Sequence, residues 1–136
     1  MFILYRIIVA LLFYGSLPFL LLFVLITGKH RCGLLERFSV YSFKNQVNNA
    51  ATQVIWIHAA SVGEVQAAKS IIAQVKKRVP TASVVLSVMT IHGKRFAEEQ
   101  LDQSVKCLLA PLDVPGIVGR AIRIIQPDIY ICIETE

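Results

Sequence analysis

Apolar positions follow two regimes along this chain. From Ile7 to Ile26 they run without a charged residue over about 20 positions, enough to cross the hydrocarbon core of a bilayer. Gly15 and Pro18 interrupt the run, and helices in lipid tolerate both. It ends Leu25-Ile26-Thr27-Gly28-Lys29, without a small-x-small cleavage site. Residues 1–28 are therefore expected to be a retained membrane anchor, spanning the bilayer or lying in its interface.

Residues 29–53 are expected to be a basic juxtamembrane segment and linker, since Asn45 to Gln53 is polar and lacks periodicity. A new pattern starts at Val54. Val54-Ile55-Trp56-Ile57-His58 predicts a strand buried on both faces. Val65, Ala68, Ile72, Val75 and Val79 then recur at three- and four-residue spacing, which predicts an amphipathic helix stopped by Pro80. The alternation repeats, with strands over 82–89, 105–109 and 128–133 and helices over 93–101 and 114–125. Such alternation argues for an α/β fold, with 54–136 a Rossmann-like parallel sheet and helices on both faces. Right-handed crossovers gather the loops after each strand along one edge, where open α/β sheets bind ligands. The chain stops as its fourth strand ends, so the domain is expected to be incomplete and the chain a fragment.

Composition changes this picture in two ways. The chain is 55% hydrophobic, but much of that excess sits in the leader, and the remainder is ordinary for a globular domain, which excludes intrinsic disorder. The net charge of +5 is also local. Lys29, Arg31, Arg37 and Lys44 against Glu36 cluster beside the anchor, whereas 46–136 is nearly neutral without a basic stripe. That argues against nucleic acid as a partner and for charge at a membrane surface. The heavier Lys/Arg load after the anchor puts the globular part on the cytoplasmic side. Cys32, Cys107 and Cys132 are scattered, so neither a disulfide framework nor a zinc site is expected, and a reducing compartment fits.

Neither a G-x-G-x-x-G turn nor a P-loop occurs, so the usual dinucleotide and nucleotide phosphate cradles are missing. Ser61-Val62-Gly63-Glu64 has the spacing of a capping box, and equally of an anion- or sugar-binding loop at a helix N-terminus. On spacing alone Glu36 is a solvated charge or an ion-pair partner. His58, at a strand end, reads as a packed residue sooner than a catalytic one. Glu134 and Glu136 flank Thr135 and point the same way along a strand, which suits polar ligands or plain chain-end solvation.

In order along the chain, these pieces resemble the 3-deoxy-D-manno-octulosonic acid (Kdo) transferases of lipopolysaccharide synthesis. The resemblance rests on the anchor, the basic residues with Leu35-Glu36-Arg37-Phe38, and Ile55-Trp56-Ile57-His58-Ala59-Ala60-Ser61-Val62-Gly63-Glu64. It continues through Thr90-Ile91-His92-Gly93, Pro111-Leu112-Asp113-Val114-Pro115 and Glu134-Thr135-Glu136. It implies the N-terminal half of a GT-B glycosyltransferase. That half binds the lipid A precursor acceptor, a second domain binds the donor CMP-Kdo, and no metal or other cofactor takes part. It further implies that Glu36 is the general base, that Ser61, Gly63 and Glu64 form a loop on the cleft edge, and that Glu134 and Glu136 belong to the family's E-T-E motif. Arg31 and Arg37 become candidates for the acceptor's phosphates, at the cytoplasmic face of a Gram-negative inner membrane. Two departures concern the Glu36 loop: Leu35 and Ser39 stand where the family usually has glycine. Without the second domain, these residues are not expected to catalyse transfer alone.

Overall fold

Short runs of β-branched residues between turns become strands when both faces find a helix to cover them. The runs over 54–59 and 83–88 do so here, while 105–109 is partly covered and 129–133 stays largely exposed. A computed structural model of the chain describes residues 7, 8, 11–16, 18, 19, 22, 33–41 and 53–133. In chain order the elements are α1 (Leu34–Arg37), β1 (Val54–Ala59), α2 (Val62–Arg78), β2 (Ser83–Val88), α3 (Ile91–Gln100), β3 (Val105–Leu109), α4 (Pro115–Ile125) and β4 (Ile129–Ile133). The strands form one sheet in the order β3-β2-β1-β4, and every neighbouring pair is parallel. The expected parallel α/β architecture is thus observed.

The sheet is covered on both faces. Ile55, Ile57, Ala59, Val84, Leu86 and Val88 point to one face, where Val65, Ala68 and Ile72 of α2 and Ala97 of α3 pack against them. Val54, Trp56, Val85 and Leu108 point to the other, against Ala121 and Ile125 of α4 and against Tyr41. Side chains alternate between the faces because the strand period is two. The register pairs Trp56 with Val85 and His58 with Ser87, so His58 and Ser87 lie on the α4 face. Asp128 ties the start of β4 to that of β1: its amide donates to Val54 O at 2.9 Å and its carboxylate accepts from Val54 N at 2.7 Å.

Boundaries move slightly from the sequence expectation. Helix α3 begins at Ile91, two residues before the expected start, because Thr90 is its N-cap and accepts from Gly93 N at 2.9 Å. Because β2 and β3 lie on one side of β1 and β4 on the other, the strand order reverses between β1 and β4. Open α/β sheets place ligands beyond the strand ends at such a point.

The chain divides into two compact units, 1–34 and 35–136. In the first, the described residues between 7 and 22 are helical, and Leu11, Leu12, Tyr14 and Phe19 are exposed. Among the described residues no helix is long and apolar enough to cross a membrane. Much of the expected anchor over 1–28 lies outside the described residues, as do Arg31, Glu134 and Glu136.

Candidate functional site

The segment 34–41 carries Glu36 and Arg37 to the C-terminal ends of β2 and β3. Its shape follows from a single tight turn. Helix α1 closes with Val40 N donating to Leu35 O and Ser39 N to Glu36 O, both at 2.8 Å, which is the pair of bonds of a Schellman motif. That motif needs a left-handed residue after the helix, and Ser39 supplies it at φ 59. The position favours glycine, the residue usual in the family resembled, because a Cβ is strained there. Ser39 Oγ donates to Ile117 O at 2.9 Å, and the residue is fully buried, so an anchoring bond offsets the strain. Beyond the turn, Tyr41 enters the core on the α4 face, and burial pushes its phenol above the ordinary value.

Both oxygens of the Glu36 carboxylate are engaged. Neighbouring amides of a parallel strand alternate in direction. Ala110 N donates to Val88 O at 2.8 Å, so the Leu109 amide faces away from β2 at the outer side of an edge strand. Glu36 Oε2 accepts from it at 2.8 Å. Lys94 Nζ, from the first turn of α3, meets Oε1 at 2.5 Å. On spacing alone Glu36 was a solvated charge or an ion-pair partner, and the structure shows the second. The Glu36 side chain stays 27% exposed.

Arg37 points the other way. Its guanidinium donates to Met89 O, just past β2, and its own carbonyl accepts from Leu112 N at 2.9 Å. Beside it opens a cavity of about 690 Å³ on the α4 face of the sheet. Trp56, Met89, Leu112, Ile122 and Tyr130 give it apolar walls, with Tyr130 edge-on to the Trp56 ring at 5.2 Å. Arg37, His58, Ser87 and Asp113 add polar groups. Ser87 is the hub of that wall. Its buried hydroxyl accepts from Trp56 Nε1 at 2.9 Å and lies 2.9 Å from His58 Nδ1, which fixes the imidazole against the sheet. Mostly apolar clefts with a few placed polar groups are what ligand pockets look like.

Ser61, Gly63 and Glu64 form a separate group at the end of β1. The capping box is complete: Glu64 N donates to Ser61 Oγ at 3.3 Å, and Glu64 Oε2 accepts from Ser61 N at 3.3 Å and Ala60 N at 2.5 Å. The Glu64 carboxylate therefore occupies two of the amides that an anion at this helix start would use. A Cβ on Gly63 would meet only Ser61 Oγ, at 3.9 Å, so packing does not demand glycine there. Burial, reinforced by the charge of Glu98, pushes the Cys107 thiol up to about 11, which favours its protonated form near neutral pH.

Sequence reasoning missed Lys94 and Ser87. Nothing local marks Lys94, one of several charges on an amphipathic helix. Ser87 did leave a signal, as the polar residue inside the apolar run Val84-Val85-Leu86-Ser87-Val88.

A parallel α/β sheet that presents a clamped carboxylate, an arginine and a largely apolar cleft at its strand ends has the make-up of a ligand-binding α/β domain. Comparison with known proteins gives it a family: residues 32–136 match the family model of 3-deoxy-D-manno-octulosonic-acid transferase, and the chain belongs to that family. It is similar to the 3-deoxy-D-manno-octulosonic acid transferase of Haemophilus influenzae, 35% identical over 108 residues, which are 79% of this chain and 25% of that protein. The transferase of the same description from Rickettsia prowazekii is 31% identical over 86 residues, covering 63% of this chain and 19% of that protein. The chain thus spans about a quarter or less of the length of these relatives. No solved structure matches it.

Proposed function

We propose that the intact protein transfers Kdo from CMP-Kdo to a lipid A precursor, and that the residues described here form its acceptor side. In this reading they are part of a Rossmann-like domain, the first half of a GT-B enzyme. The observation that carries the reading is Glu36, held by two donors yet partly exposed at the strand ends, one residue before Arg37, which lines the cleft. Each carboxylate oxygen has two lone-pair directions, and among the described residues one of each is used, so Glu36 keeps the capacity to accept a proton. It takes that proton from the 6-hydroxyl of the acceptor's glucosamine as this oxygen bonds to the anomeric carbon of Kdo. The bond from that carbon to the CMP phosphate oxygen breaks at the same time, and CMP leaves with the electron pair.

The rest of the assignment follows the same direction. By the family motifs, Arg31 and Arg37 are assigned to the acceptor's phosphates, and Ser61, Gly63, Glu64, Glu134 and Glu136 to the binding of substrate at the edge between the two domains. The exposed apolar side chains of 7–22 hold the protein to the cytoplasmic face of the inner membrane, where the acceptor's acyl chains stay in lipid. The donor is bound by the length of the relatives that this chain does not span, so residues 1–136 alone bind acceptor and do not turn it over.

The test is a transfer assay on the intact gene product in detergent, with CMP-Kdo and a lipid A precursor, read by mass spectrometry of the lipid. The expected product is the Kdo-bearing lipid, absent when either substrate is withheld. Saturable binding of the lipid without any transfer would instead make the protein a non-catalytic lipid A-binding module.

A further inference from the structure

Among the described residues, Lys94 is the charged side chain that meets Glu36 from a different element, 58 positions away in sequence. Its place is set by the first turn of α3. Thr90 caps the helix through Gly93 N, and the cap is tight, since a Cβ on Gly93 would lie 3.1 Å from Thr90 Oγ1 and 3.8 Å from Val88 Cβ. The residue after Gly93 is thereby fixed where β2 gives way to α3, facing the turn that bears Glu36. The ammonium is 20% exposed and has a second carboxylate within reach, Glu98 at 3.8 Å, one helical turn further on.

We propose that Lys94 is a positioning residue for Glu36, a reading that rests on Glu36 being the general base. A carboxylate on a glutamate side chain rotates freely unless both its oxygens are held. The Leu109 amide holds Oε2 and Lys94 holds Oε1, so the carboxylate is fixed through both oxygens. A fixed base is worth more than a rotating one, because misplacement by about 1 Å costs roughly 100-fold in rate. Lys94 is suited to the task because an ammonium is a compact charge with three donors, able to hold Glu36 while it also faces Glu98. It touches neither substrate in this role and acts only through Glu36.

The experiment compares Lys94→Met, Lys94→Arg and Glu36→Gln in the intact protein, with kcat, acceptor KM and thermal midpoint measured for each. Methionine keeps the apolar stem and removes charge and donors. The expected result is a kcat lower by about 10- to 100-fold for Lys94→Met, with acceptor KM unchanged, and recovery of most of that loss in Lys94→Arg. A Lys94→Met variant with unaltered kcat overturns the proposal, as does one whose thermal midpoint falls while arginine fails to restore the rate. Glu36→Gln separates the two levels of the argument. If it is inactive while Lys94→Met is unaffected, only the positioning role fails; if Glu36→Gln remains active, the base assignment fails and takes the positioning role with it.

Discussion

Two glutamates at the strand ends are held in opposite ways. Glu64 closes a local motif: its carboxylate accepts from Ala60 and Ser61, within four residues, and the residue is buried. Glu36 is held by partners 58 and 73 residues away, Lys94 and Leu109, and is partly exposed. The first arrangement begins a helix and is available to any chain with the right four residues. The second exists only once β2, α3 and β3 have assembled, and it holds a charged group at the edge where ligands bind in such sheets. The local carboxylate begins a helix, whereas the long-range one ties a charged group to the assembled strand ends.

Breaking the long-range clamp is expected to cost most. Glu36→Ala leaves the Leu109 amide without its acceptor and Lys94, among the described residues, with only the more distant Glu98, a loss of about 2 kcal/mol. Breaking the local clamp costs less: Glu64→Ala removes half of the capping box, about 1 kcal/mol. Urea unfolding of the intact protein measures both. Since the two clamps share no residue, the double variant is expected to lose the sum of the single losses to within about 0.5 kcal/mol. A clear departure from the sum would show that one cluster feeds the other and would dissolve the contrast. The smallest effect sharpens it. Ser39→Ala gives up the bond to Ile117 O and keeps the left-handed strain, a loss of about 1 kcal/mol. Ser39→Gly gives up the same bond but relieves the strain, and is expected to change stability by only a few tenths of a kcal/mol, roughly zero in the same assay.

The contrast also marks what the sequence could disclose. The capping box was legible because its partners lie within one helical turn, and the strands because buried parallel strands are short apolar runs. The apolar pattern places the start of α3 two residues late, because its N-cap, Thr90, lies outside that pattern. Glu36 was legible as a candidate only through family resemblance; its spacing offered nothing beyond a charge on a short basic segment. Its partners were not legible at all, since Lys94 and Leu109 meet it only after the chain has crossed the sheet. Ser39 lies between these cases. Resemblance marked it as a departure from glycine, and the Schellman turn supplies the physical reason for glycine there.

The measurement that bears most directly on the account is the initial rate of Kdo transfer by the intact Glu36→Gln protein, with its thermal midpoint taken alongside. Glutamine keeps a carbonyl acceptor for the Leu109 amide, so the fold is expected to survive with a midpoint near that of the unsubstituted protein. The rate is expected to fall by about 10²- to 10⁴-fold, the usual worth of a general base. A folded Glu36→Gln protein that transfers Kdo within about twofold of the unsubstituted rate, where general-base loss costs about 100-fold or more, would contradict the account.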